Sequence, residues 1–326
     1  MMNRFNNCKI LLIGIGFYDY EDCIVKRLKD KGAKVTYFKD VPRHLRRVSG
    51  RLARYLGIYK WLMLCYESYV LSKCSAHNFD KILVIKGTGW TVNFFRKLRL
   101  QQSVAEFILY QWDALIRLPG IQAKFPFFDR ILSFDRKDTI QYPKIRFRPL
   151  FFRECTLVKK KSITIDIAFV GWLHSDRLAI ARKLQGEANH SNLNTFIYLY
   201  TGLCTWLYLA LKGDAQNVHF RTLSYIKLLD IHARAKVIFD LPHALQSGLT
   251  MRTIEAVGAG KKLITTQRDI INYDFYSDKN ICVIEANNIK INASFISEPV
   301  KKLPKAVLNK YSLDTWLLEV FNTELE

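Results

Sequence analysis

The stretch FDLPHALQSGLTMRTIEAVGAGKKLITT, Phe239 to Thr266, decides the reading of the fold. It begins at the end of an apolar run, Lys236–Phe239, expected as a strand. A polar loop with Pro242, Gln246, Ser247 and Gly248 follows. A helix is predicted from near Thr250 to about Val257, Gly258 and Gly260 end it, and Lys262–Thr265 is the next strand. Strand, small-residue loop, helix and strand make a βαβ unit. A loop that opens a helix presents N–H groups with no partner inside the helix, which suits an anion. Arg252 in the first turn adds a fixed charge, and Glu255, three residues on, shares its face. Thr250, Arg252 and Glu255 are so spaced that they can address one nucleotide, diphosphate first and ribose hydroxyls second. The same local pattern also fits a plain βαβ corner with a capped helix and a solvent-facing Arg and Glu.

Outward from this stretch the rhythm repeats. Lys9–Ile15 reads as a strand ending at Gly14 and Gly16, Glu21–Lys31 as a helix, and Lys34–Phe38, Lys81–Ile85, Phe107–Tyr110 and Arg130–Phe134 as strands. After residue 160 come the strand Thr164–Val170, the helix Arg177–Glu187, and the strands Leu193–Leu199 and Ile281–Ile284. Phe196–Leu211 is the longest apolar run. It is too short and too interrupted by Thr201, Gly202 and Thr205 for a membrane span, and is expected as a buried strand followed by a helix. Pro149 to Ser162 reads as a linker. The fold expected is α/β: two Rossmann-like, doubly wound parallel-sheet domains with an interdomain cleft. The domains are placed at 1–150 and 151–310, with a closing helix at 311–326 packing back on the first. Gly14-Ile15-Gly16 is only a tight turn, because Asp19 stands where the third glycine of a dinucleotide fingerprint would be.

The chain of 326 residues carries a formal charge of +21. Residues 1–150 hold 28 Lys and Arg against 12 Asp and Glu, and the remainder 22 against 17, so the first half holds most of the positive field. Such a field favours an anionic partner. The basic residues Arg43, Arg46, Arg47, Arg51, Arg54 and Lys60 alternate with Leu45, Val48, Leu52, Leu56 and Tyr59 at near-helical spacing, and Trp61–Leu64 extends the apolar surface. This basic amphipathic stretch suits the surface of an anionic membrane, and it equally suits a solvated helix over a core. Seven cysteines without a CxxC pair argue for reduced thiols and against a zinc cluster. No signal peptide is visible before Cys8. No metal-ligand spacing is visible either, and the aromatics read as core strand residues with no nucleic-acid module among them.

The Gln246–Thr266 segment resembles the donor-binding signature of GT-B glycosyltransferases, particularly those that build bacterial lipopolysaccharide and capsule. YQWDALIR (Tyr110–Arg117), FDRILSFDRKD (Phe128–Asp138), RPLFF (Arg148–Phe152), FVGWLHSDR (Phe169–Arg177) and the YSLDTW end carry the same resemblance. It implies a metal-independent transferase with no cofactor beyond a nucleotide-sugar donor, UDP-linked. The implied acceptor is lipopolysaccharide, lipid-linked or polysaccharide, and the implied place is the cytoplasmic face of the inner membrane, without a nucleic-acid partner. It further implies that Gly248, Leu249 and Thr250 form the loop that meets the diphosphate, that Gly171 is the glycine of the first strand-to-helix turn with Arg177 in reach of the phosphates, and that Glu255 binds the ribose; Gln246 and Arg252 complete the expected donor site. Many retaining members carry a second glutamate eight residues earlier. Ser247 stands there, so the stereochemical outcome stays open. Two other readings stay open as well: a basic nucleic-acid-binding protein, and a sugar-nucleotide epimerase of the same architecture.

An inverting transfer needs a base on the acceptor side. Asp113, just after the strand Phe107–Tyr110, is the best placed, and Asp19 is next. Asp135 and His44 follow. Each aspartate also fits a turn or helix cap.

Overall fold

The structure, a computed structural model, describes residues 5–16, 19–42, 45, 48–153 and 161–322. Arg43, His44, Arg46 and Arg47 of the basic stretch, and the side chain of Arg51, lie outside the described residues. The chain divides into two compact units, one of residues 1–149 and 314–326 and one of residues 150–313.

The first unit runs β1 (Lys9–Gly14), α1 (Tyr20–Asp30), β2 (Lys34–Lys39), α2 (Val48–Tyr55), α3 (Tyr59–Ser75), β3 (Lys81–Ile85), α4 (Val92–Gln101), β4 (Glu106–Gln111), β5 (Arg130–Ser133), α5 (Arg136–Gln141) and β6 (Ile145–Phe147). All strand pairs are parallel, in the order β2-β1-β3-β4-β5-β6. Strands covered on both faces need no polar alternation, which is why Ile82–Ile85 and Phe107–Tyr110 read as unbroken apolar runs.

The second unit runs β7 (Ile165–Trp172), α6 (Arg177–His190), β8 (Thr195–Tyr200), α7 (Leu203–Leu211), β9 (Val218–His219), α8 (Tyr225–Arg234), β10 (Ala235–Asp240), α9 (Met251–Gly258), β11 (Lys262–Thr265), β12 (Ile281–Val283), α10 (Ala293–Ser297) and α11 (Lys305–Lys310). Its parallel sheet has the order β12-β11-β10-β7-β8-β9. Helix α9 ends in Gly258 for a packing reason: a Cβ there would sit 2.3 Å from Cγ of Phe152. The last helix, α12 (Leu313–Val320), enters the first unit from Asp314 on. Trp316 is fully buried, edge-on to Tyr110 at 4.8 Å, and Asp314 takes Nε of Arg27 at 2.6 Å.

Both expected Rossmann-like sheets are present. One detail differs from the sequence reading. The basic stretch is not one helix, because Gly57 takes φ +71 and separates α2 from α3. Helix α7 is not buried: none of its side chains is, and only Trp206 and Leu209 pack against the core. It is apolar on every side, so part of its surface stays in water whichever way it turns. No helix of the described residues is long and apolar enough to cross a membrane.

Candidate functional site

In the second unit the strand order reverses between β7 and β10, and ligands of such sheets bind beyond the carboxyl ends of the strands at that reversal. Strand β7 ends in Gly171-Trp172, and β10 ends in Asp240. The point that a Cβ of Gly171 would occupy lies 3.1 Å from Nη1 of Arg177 and 3.4 Å from Nη2 of Arg252. Two guanidinium groups, from α6 and α9, therefore close over a bare stretch of backbone. Each is tethered. Arg177 donates to the carbonyls of Trp172 (3.0 Å) and Leu241, and Arg252 donates from Nη1 to Oδ1 of Asp240 at 2.5 Å.

Asp240 is fully buried and gathers the start of α9. Its Oδ2 accepts from the hydroxyls of Thr250 (2.8 Å) and Thr253 (2.6 Å). Thr250 is also the N-cap, accepting from the Thr253 N–H at 3.2 Å. Nearby His232 is buried and stays neutral: desolvation first, then the charges of Arg252 and Lys261, push its pKa down to about 3. The surroundings of Arg252 thus combine a helix N-terminus, two guanidinium groups and one carboxylate, an arrangement suited to an anion.

Beside this cluster a cavity of about 480 Å³ opens along the carboxyl ends of the strands, a volume in the ordinary range for a small-ligand pocket. Arg177 and Leu241 line it, with His174, His243, Thr266 and Asn287. The imidazoles of His174 and His243 lie 5.8 Å apart. The Leu245 N–H donates to Nδ1 of His243 at 3.2 Å. At the rim Arg268 and Glu285 form an exposed ion pair.

Of the expected donor residues, Gly171, Arg177, Thr250 and Arg252 come together. Gly248 and Leu249 are buried, and the Gln246 side chain turns to its own loop, donating to the carbonyl of Gly248 at 3.1 Å, while its backbone carbonyl accepts from the Gln267 side chain at 2.8 Å. Glu255 is 2% exposed, and its Oε1 takes Nη2 and Nε of Arg153 at 2.7 and 3.0 Å. Arg153 lies over the Tyr225 ring at 3.4 Å. The sequence reading missed Asp240, Arg153, His174 and His243. Asp240 stood just past the end expected for a strand, which the structure extends to include it. Its three partners, ten to thirteen residues on, gave no spacing signal.

In the first unit Asp113 accepts from Lys86 (2.5 Å) and Arg117 (2.9 Å) just past the end of β4. Asp19 is exposed at the N-cap of α1 with φ 59 and makes no side-chain cap bond. Asp135 is a buried cap of α5, accepting from the Lys137 N–H at 3.0 Å. Asp138, which the sequence reading passed over, is buried. Burial pushes its carboxyl up to about 6, against the hydrogen bonds from Ser133 and Leu115 that favour the charged form. The turn after β1 holds a carboxylate, since Glu21 accepts from the Gly16 N–H at 2.9 Å and a Cβ on Gly14 would strike its Cγ at 2.7 Å. That negative charge makes the turn a poor phosphate cradle, whereas the matching turn in the second unit carries arginine. Among the described residues no three His, Cys, Asp or Glu side chains gather in a metal cage.

Helices α2 and α3 and the turn between them leave Leu52, Tyr55, Leu56, Ile58, Trp61, Leu64 and Tyr69 exposed. Lys60 is exposed beside them, and Arg54 is exposed with its guanidinium 4.3 Å from the Tyr59 ring. Seven large apolar residues are thus exposed within one stretch of chain, more than the single scattered ones usual on a surface.

No protein-family model and no curated protein matches the chain. Solved structures do. An α,α-trehalose-phosphate synthase (UDP-forming) from Burkholderia xenovorans, in complex with glucose-6-phosphate, aligns over 97% of this chain and 99% of its own, with a TM-score of 0.60 and 12% identity. A UDP-GlcNAc 2-epimerase from Neisseria meningitidis, bound to UDP-GlcNAc, aligns over 97% and 100%, at 0.54 and 9%. The UDP-GlcNAc 2-epimerase from Methanocaldococcus jannaschii aligns over 97% and 99%, at 0.53 and 9%. The two parallel six-stranded sheets are those of the GT-B fold.

Proposed function

We propose that the chain transfers a sugar from a nucleotide-sugar donor, UDP-linked, to a lipopolysaccharide, lipid-linked or polysaccharide acceptor in bacterial surface glycan synthesis. The observation that carries this is the convergence of Arg177 and Arg252 on Gly171, next to a cavity of about 480 Å³. A sugar nucleotide needs a pocket for its nucleoside and fixed positive charge for its diphosphate. When the sugar leaves, negative charge grows on that diphosphate, and preset guanidinium groups stabilise it without reorganising. No step in this reading requires a metal.

On the acceptor side, Asp113 is the proposed base. Lys86 and Arg117 hold its carboxylate in place, and both bonds would have to loosen for it to take a proton. The exposed α2–α3 cluster, with Arg54 and Lys60 at hand, supports peripheral attachment to an anionic inner-membrane surface, where a lipid-linked acceptor would be found.

The test is incubation with a panel of sugar nucleotides, following release of nucleoside diphosphate with and without lipid-linked acceptors. Release from one donor, stimulated by an acceptor and lost in Arg252→Ala, is the expected result. An isomerised sugar nucleotide with no diphosphate released would replace transfer by epimerisation. No effect on any donor would sink both.

A further inference from the structure

Asp240 is a negative charge placed beside a site that we read as binding a negative ligand, and electrostatics alone would disfavour it there. It is nonetheless fully buried and supplied with three donors: Arg252 Nη1 at 2.5 Å, Thr250 Oγ1 at 2.8 Å and Thr253 Oγ1 at 2.6 Å. All three lie in the N-cap or first turn of α9. It also pairs in register with Thr265 of β11, so it is anchored in the sheet. Asp240 engages only Nη1 of Arg252 and leaves Nη2 directed at Gly171. A flexible arginine is thereby held in one orientation, and the turn that carries it is bolted to the strand end.

We propose that Asp240 is a positioning residue for diphosphate recognition: it fixes Arg252 and the first turn of α9 so that the diphosphate of a nucleotide meets a preset guanidinium. This rests on the reading of the second unit as a nucleotide site. The gain from preorganisation outweighs the repulsion of one buried, fully hydrogen-bonded carboxylate, because an ordered charged donor loses little entropy on binding.

The two effects of Asp240 have opposite signs, which makes the proposal testable. Asp240→Asn removes a negative charge and weakens the hold on Arg252. If charge alone mattered, nucleoside diphosphate would bind more tightly; if positioning matters, it binds more weakly. Calorimetric titration of the full chain with UDP and with uridine, and with the GDP, ADP and CDP pairs, reads this directly. The expected result is a loss of about tenfold in UDP affinity with uridine unchanged, and a smaller loss of the same kind in Thr253→Val. Equal or tighter UDP binding by Asp240→Asn overturns the proposal. So does equal loss of UDP and uridine, which marks a general structural defect. Thr253→Val serves in place of Asp240→Asn should the latter not fold, and unchanged UDP affinity in it then counts against the proposal. Failure of the wild-type chain to bind any nucleoside diphosphate instead refutes the underlying nucleotide reading.

Discussion

Arg153 and Glu255 form an ion pair in which Nη2 lies 2.7 Å from Oε1 and each side chain is only 2% exposed. A buried pair is not itself strong evidence of stability, but breaking one leaves an unpaired charge in a dry interior. Glu255→Ala and Arg153→Ala are each expected to destabilise the second unit by about 3–5 kcal/mol. A double replacement by Met and Leu should recover most of that loss. Denaturant unfolding of the three variants checks it, and a double variant as unstable as the singles would count against the pair as the cause. Loss of activity in Glu255→Ala would therefore not identify a ribose contact, because misfolding predicts the same result.

Asp138 and His232 should tilt stability in opposite directions with pH, one in each unit. The Asp138 carboxyl is raised by burial from 3.8 to about 6, so it favours the folded state most at low pH. That contribution is lost as pH rises through the window from 3.8 to about 6. His232 is lowered by burial from 6.5 to about 3, so its contribution is present above 6.5 and lost as pH falls toward 3. Each amounts to a few kcal/mol at most, since a tenfold change in proton affinity corresponds to about 1.4 kcal/mol. Hydrogen exchange resolved by segment is the measurement. Asp138→Asn should flatten the dependence around α5, and His232→Gln should flatten the opposite dependence around α8. Unchanged slopes in both variants would refute these assignments.

Much of this arrangement was legible in the chain. Apolar runs that stop at Gly14, Gly171 and Gly258 mark strand and helix ends because those backbones pass close to other atoms. Strands β6 and β9, of three and two residues, carry no period to read. The partners of Glu255 and Asp240 were hidden for a different reason. Glu255 meets an arginine 102 positions earlier, and Asp240 organises a helix across an intervening loop. Local spacing showed that Arg252 and Glu255 share a helix face. It could not show that one turns to the strand end and the other to Arg153.

The α2–α3 cluster should bind anionic vesicles. Each basic residue near such a surface is worth on the order of 1 kcal/mol, and exposed Trp61 and Leu64 add apolar contact. Sedimentation with phosphatidylglycerol vesicles at low salt is expected to carry the protein down. High salt should release it, and Trp61→Ala with Leu64→Ala should reduce it. Sedimentation unchanged by salt and by these substitutions would sink the assignment.

Gly171→Ala tests the arginine pair directly. The new methyl group would sit 3.1 Å from Nη1 of Arg177 and 3.4 Å from Nη2 of Arg252, and both are ends of long side chains that can yield. Each need give by only a few tenths of an ångström, but both are tethered, Arg252 to the buried Asp240, so the fold should lose about 1–3 kcal/mol. The space over the backbone, however, would be filled, and the guanidinium groups pushed apart. If a diphosphate rests there, its affinity should fall about tenfold, or 1.4 kcal/mol, while the matched nucleoside binds as before. Titration with UDP and uridine, alongside a melting curve, separates the two effects. A Gly171→Ala variant that binds UDP like the wild type would mean that the diphosphate lies elsewhere, and the arginine pair would then be holding only the loops after β7 and β10.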